Sequence, residues 1–219
     1  MQKNYMVTLN GMRDLLMHKD NVQHGERVKK WTKDPANRDV SVAGDDRSPA
    51  WTWIGCLYIE GGKVVIDSDN LMTMLREGGA QVPTGKGQKT FKAQTQSGII
   101  VNEIGWPLIV DGHDIDYEPI KALLNENDFE KHLEVAEELG IMLFVKRAKI
   151  GTSKHIRVRP RFANWQATGT ITVMDSTITK AVLKDIFTFA GARCGLCDWR
   201  PSSKTPGQFG TFEATIKEI

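Results

Sequence analysis

The strongest constraint on the fold lies near the end of the chain, where an amphipathic helix is set between strands. The segment "DSTITKAVLKDIFTFAGA" places Ile178, Val182, Ile186, Phe189 and Ala190 on helical spacing, behind a cap at Asp175 or Ser176. Before it come "IMLFVKRA", "HIRVRPRF" and "ANWQATGTITVMD", which read as strands, the last as a hairpin partner continuing from the second. After it, "FGTFEATIKEI" closes the chain as an alternating strand. A strand, strand, helix, strand run predicts an α+β fold. Its expected form is a ferredoxin-like or RNA-recognition-type antiparallel sheet, with helices on one face and long insertions.

The rest of the chain fits that class. "YMVTLNG" predicts a first strand over Tyr5–Asn10, and Met12–Asp34 reads as a polar helix with a basic cluster at Arg27, Lys29 and Lys30. "PANRDVSVAGDDRSPA" has no period and predicts a long exposed loop. "AWTWIGCLYI" and "VVI" read as a hairpin joined by "EGGK", and "DSDNLMTMLREGG" as a short helix capped by Asp67 or Ser68. "WPLIVDG" predicts a strand and "DFEKHLEVAEELG" a helix with an acidic outer face. With no repeat and no low-complexity linker, residues 1–219 are expected to form a single domain with insertions at about 35–50 and 80–140.

No apolar stretch approaches the ~18 residues of a membrane span, and the polar start "MQKNYM" predicts no signal peptide. Cys56, Cys194 and Cys197 are too few for a disulfide framework. A cytoplasmic protein with no membrane partner is the expectation. The net charge of +2 is small, but charge is segregated. Asp111–Gly140 holds ten acids against two Lys/Arg, whereas Lys146–Arg161 holds seven Lys/Arg and no acid.

In "KHIRVRPRF", His155, Arg157, Arg159 and Arg161 alternate with Ile156, Val158 and Phe162. Alternation puts the cationic groups on one strand face, and guanidinium forks suit phosphate oxygens. Lys146, Arg147, Lys149 and Lys154 extend the patch. A charged edge strand, with Pro160 fitting an edge, is the competing structural reading. Trp165 would continue the row if the strand stays regular. There it could stack on bases, whereas Trp51, Trp53, Trp106 and Trp199 lie elsewhere, and tryptophans more often lie in cores.

Catalytic and metal readings are weaker. "VPTGKGQKT" lacks the spacing of a phosphate loop. Cys194 and Cys197 have zinc-knuckle spacing, but a four-ligand site would need His113, His132 or His155 recruited by folding. A redox role would need the CxxC ahead of a helix, whereas here it follows one. "DGHDID" could hold a cation, though a solvated turn explains it as well. His155 could serve as a general base in a metal-independent ribonuclease. No cofactor, metal or catalytic set is expected.

The segment "CGLCDWRPSSKTPGQFG" spaces Gly195, Gly207 and Gly210 around Arg200 and Lys204, with Arg193 and Gly191 just before it. Glycines permit close backbone approach to a ligand, and the cations attract anions. This ending resembles the C-terminal glycine-rich loop of the RAMP superfamily, the RNA-recognition-fold proteins of CRISPR effector complexes. Cys197 stands where that pattern has a second glycine, and Gln208 where it prefers an apolar residue. The chain also resembles a group of phage and prophage proteins with a "WRPSS…GxFG" ending.

The resemblance implies an RNA-recognition-type fold and binding of RNA or single-stranded DNA, in a homo-oligomer or larger ribonucleoprotein assembly. The leading expectation is a non-enzymatic nucleic-acid-binding protein of a phage or mobile element, acting in the bacterial host cytoplasm. Its site would be Lys146, Arg147, Lys149, Lys154, His155, Arg157, Arg159, Arg161, Arg193, Gly195, Arg200, Lys204, Gly207 and Gly210. The alternatives are a phage counter-defence protein that acts on a host complex or binds a nucleotide signal, and the ribonuclease.

Overall fold

A computed structural model describes residues 2–219, leaving out the side chain of Ile150. In chain order the elements are β1 (Lys3–Gly11), β2 (Leu15–Leu16), α1 (Val22–Lys33), β3 (Ile59–Glu60), β4 (Lys63–Asp67), α2 (Ser68–Gly79) and α3 (Lys92–Gly98). Next are β5 (Ile99–Val101), β6 (Gly105–Val110), β7 (His113–Asp114), α4 (Glu118–Ala122) and α5 (Phe129–Glu138). β8 (Met142–Ile150), β9 (Ser153–Phe162), β10 (Trp165–Val173), α6 (Lys180–Phe189) and β11 (Phe212–Glu218) complete the chain. The class is α+β with mostly antiparallel strands.

Two compact units share these elements: Met1–Leu16, Val65–Asp114 and Ala163–Ile219 form one, and Met17–Val64 with Ile115–Phe162 the other. In the first unit the sheet runs β11-β1-β10-β6-β4, with β5 also on β10 and β7 on β6. Every pairing in it is antiparallel. Alternation explains its two faces. Tyr5, Val7 and Leu9 are fully buried opposite Ile171, Gly169 and Ala167, whereas the intervening positions are polar apart from the exposed Met6. On that polar side Thr8 and Thr168 join hydroxyls at 3.0 Å, and Thr172 Oγ1 donates to Asn4 Oδ1 at 2.9 Å.

Helices α2 and α6 supply the first unit's other apolar faces, through Leu71, Met74 and Leu75 and through Leu183, Ile186 and Phe187. They approach closely because Gly78 has no side chain: a Cβ there would sit 2.6 Å from the Ile186 carbonyl oxygen. Asp67 caps α2 by accepting from the Asp69 amide at 2.8 Å.

In the second unit the segment Ala50–Cys56 coils as a 3-10 helix and packs against α1, α5 and β9. The strand expected over its first half is therefore corrected. Trp51, Trp53, Ile54 and Cys56 are all buried, and a coil surrounded by other elements can bury consecutive residues that a half-exposed strand cannot. The glycine turn is as expected: Gly61 and Gly62 take φ of 55° and 77°, and Glu60 pairs with Lys63.

Three further expectations are corrected. The helix expected over Met12–Asp34 is confined to Val22–Lys33, capped by Asn21, because Leu15, Leu16 and Met17 are extended and buried. The last helix starts at Lys180 behind Thr179, while Asp175 instead bonds the Thr177 amide and hydroxyl. β10 does not pair with β9 but with β1, β5 and β6. Its apolar positions match the buried face of β1, and Asn164, at φ 45°, turns the chain out of the second unit just before it.

Candidate nucleic-acid interface

The basic row belongs to a hairpin of the second unit, β8 paired with β9 from Met142↔Arg161 to Ile150↔Ser153. Facing residues of an antiparallel pair point to the same side. Lys146, Arg157, Arg159, Arg161 and His155 therefore share one face, and Arg147, Lys149 and Lys154 share the other. All seven Lys/Arg are on this one hairpin, which has no acid of its own.

An acid from elsewhere in the second unit meets the first face. Residues Gly44–Asp46 lie along the edge of β9 that β8 leaves open. The Ile156 amide donates to Gly44 O at 2.8 Å, and the Asp46 amide to Ile156 O at 3.0 Å. Asp46 then accepts from Arg157 Nη1 at 2.7 Å, Arg159 Nη1 at 3.1 Å and the Val158 amide at 3.2 Å. Its side chain is only 8% exposed, so this is a buried charge held by three donors. The expected arginine track is thus half-neutralised: two of its guanidinium groups are committed to Asp46. The segment is largely the exposed loop expected, and over Gly44–Asp46 it also covers a strand edge.

The His155 ring packs on Gly44, where a Cβ would collide with Nδ1, and that nitrogen is buried without a partner. The opposite face is different. Arg147, Lys149 and Lys154 are exposed and have no ion pair among the described residues. Val145, 44% exposed, lies with them.

The stacking candidates do not collect here. Trp165 leaves the row: it is buried in the first unit, donating Nε1–H to Arg13 O at 2.8 Å and meeting Phe212 edge-on. Trp51, Trp53 and Trp106 are buried as well, and Trp199 packs on Phe209 with ring centroids 5.6 Å apart. Trp31, which the sequence did not single out, is half-exposed and has no ring partner among the described residues.

The glycine-rich loop belongs to the first unit. Its glycines admit close approach of the chain to itself. A Cβ on Gly207 would collide with the Trp199 carbonyl, and one on Gly210 with that of Leu196. Their amides are also used internally: Gly195 donates to Ala190 O, Gly207 to Arg200 O and Gly210 to Asp14 O. These three N–H groups are therefore engaged within the chain itself. Arg200 donates to Glu77 Oε1 at 3.0 Å and to Cys197 O, and Ser202 Oγ donates to Glu77 Oε2 at 2.6 Å. Arg193 lies over the Phe189 ring at 4.9 Å. Lys204 is exposed, with no partner among the described residues.

Cys194 and Cys197 are buried free thiols. Burial raises them to about 11 and about 12, with Glu77 reinforcing the effect on Cys194. His132 is a core residue: its Nδ1 accepts from Trp53 Nε1 at 3.0 Å, so Nε2 carries the proton and donates to Glu126 O at 2.9 Å. Burial lowers its pKa, as it does that of His24. Among the described residues no three His, Cys, Asp or Glu side chains gather as metal ligands would. No helix among the described residues is long and apolar enough to cross a membrane.

Compared with known proteins, the chain matches no family model and no curated sequence.

Proposed function

We propose that this protein binds single-stranded nucleic acid, RNA or DNA, through the β8–β9 hairpin, and that it does so without catalysing a reaction. One observation carries the reading: Arg147, Lys149 and Lys154 form an exposed cationic face without acid partners, on a hairpin of seven Lys/Arg and no Asp or Glu. Cations with no protein counter-charge gain most from meeting phosphates, because counterion release adds to the attraction. Lys146, exposed on the other face, extends the track around the hairpin.

The first unit supports a ferredoxin-like assignment. Taking β1, β5/β6, β10 and β11 as the four strands and α2 and α6 as the connecting helices, the sheet order is fourth, first, third, second, with antiparallel neighbours throughout. That order is compatible with the resemblance of the glycine-rich ending to RAMP proteins, and the "WRPSS…GQFG" ending supports an origin in a phage or mobile element. On the polar sheet face Asn4, Thr8, Thr168 and Thr172 bond to one another and carry no charge for phosphates, which favours the cationic hairpin as the site.

Fluorescence anisotropy with labelled single-stranded RNA and DNA tests the reading. Binding should weaken with salt, with a log–log slope of about −2 for three phosphate contacts. Replacing Arg147, Lys149 and Lys154 by Gln should remove most of that slope. Absence of binding at low salt, or an unchanged slope in the triple variant, would sink the proposal.

A further inference from the structure

A cleft elsewhere in the second unit shares no residue with the hairpin. Helix α1 and the segment 125–127 line this open cleft of about 310 Å³, at the small end of the range for small-molecule sites. At its base Arg27 stacks on the buried indole of Trp51, 4.8 Å from the ring, and donates Nη2–H to Leu124 O at 2.8 Å and Asn125 Oδ1 at 2.6 Å. The guanidinium is thus fixed by neutral groups only. It has no carboxylate partner, and Nε and Nη1 have no acceptor among the described residues.

Immobilising an arginine costs side-chain entropy, and without an acid beside it the charge remains available to an incoming anion. Lys30, one turn along α1, adds a second cation with no partner among the described residues. Trp31 lines the same cleft as a half-exposed ring, and among the described residues it has no aromatic neighbour and the Asn127 side-chain amide no partner. Asp34 brings one carboxylate, of which Oδ1 receives the Ala36 amide at 2.9 Å and Oδ2 is left to accept from a hydroxyl.

A fixed guanidinium, a lysine, a planar ring, a free amide and a hydroxyl acceptor, within a volume of this size, match the parts of one nucleotide. We infer that the cleft binds a single nucleotide. Its phosphate meets Arg27 and Lys30, its base stacks on Trp31 with Asn127 at the base edge, and its sugar hydroxyl reaches Asp34. The same chemistry is presented by a free mononucleotide and by the end of a strand.

Isothermal titration of the full chain with AMP, with 5′-phosphorylated tetra-adenylate and with inorganic phosphate tests the site. Saturable binding of AMP or the tetranucleotide is expected, at least about tenfold weaker in Trp31→Ala and in Lys30→Glu, and restored in part by Trp31→Phe, which keeps a stacking plane. Equal affinity for AMP and the tetranucleotide identifies the free nucleotide as the ligand, and tighter binding of the tetranucleotide identifies a strand. The hairpin variant lacking Arg147, Lys149 and Lys154 keeps its AMP affinity, so the two sites fail separately. The proposal is overturned if neither ligand saturates up to about 10 mM, if phosphate alone binds as well as AMP, or if both Trp31→Ala and Lys30→Glu bind like the parent.

Discussion

Asp46 accepts a hydrogen bond from Arg157 at 2.7 Å across 111 positions of sequence, and in doing so turns half of a cationic row into structure. Arg159 and the Val158 amide share the same carboxylate. Replacing Asp46 by Ala would leave two guanidinium groups, 32% and 14% exposed, beside an uncapped strand edge. Breaking such a pair from one side should destabilise the protein by about 3 kcal/mol. The released charge should at the same time tighten single-strand binding at low salt. Urea denaturation and anisotropy on the same variant check both, and unchanged stability would show that Asp46 is not the anchor of β9.

Stability should depend on pH through buried histidines. His132 and His24 have folded pKa values below 6.5 because burial disfavours the imidazolium. Near pH 5 the unfolded chain therefore binds more protons at these sites than the folded one, and their contribution, complete above pH 6.5, falls as pH drops below it. The shifted carboxylates do not oppose this. Their folded values are lowered, Glu126 to about 2, so they also lose their contribution on the acid side. Unfolding midpoints in urea should be higher at pH 8 than at pH 5, and His132→Gln should flatten that difference while lowering the midpoint at pH 8. A midpoint that rises on acidification would contradict the burial of His132.

How much of this was legible beforehand depends on whether the deciding partner was near in sequence. Alternation found β1 and β9, a cap with a glycine stop found α2, and an acidic outer face found α5, because those signals lie within a dozen residues. The Gly61–Gly62 turn was readable for the same reason. The role of Asp46 was not, since nothing local distinguishes it from Asp45, which pairs with its own neighbour Arg47 at 2.7 Å. "AWTWIGCLYI" misled because a fully buried run has no period to separate strand from coil. Trp165 could be extrapolated from the basic row only if the strand stayed regular, and Asn164 ends it. The basic cluster at Arg27 and Lys30 was visible, but the Trp51 ring and the Leu124 carbonyl that fix Arg27 were not.

The thiols should be inert in the native state. With Cys194 at about 11 and Cys197 at about 12, the thiolate at pH 8 is at most about one part in a thousand, and burial blocks approach besides. An aromatic disulfide reagent should therefore label no thiol rapidly in buffer and all three cysteines in denaturant. Fast labelling of the folded protein at Cys194 or Cys197 would show that the loop opens.

Cys197 also occupies a backbone position that favours glycine. Its φ is 60°, in the left-handed region, and Trp199 follows at 46°. A cysteine can serve there because the conformation is kept and the side chain carries the strain. That strain is about 1 kcal/mol, close to what burying a small thiol returns. Cys197→Gly should therefore change stability by less than about 1 kcal/mol. Cys197→Val should cost about 2 kcal/mol or more, because a β-branched side chain is poorly tolerated at positive φ and must also fit the same buried space. Thermal unfolding of the two variants separates these outcomes. A valine variant as stable as the parent would mean that the backbone of 197 is not held in the left-handed region.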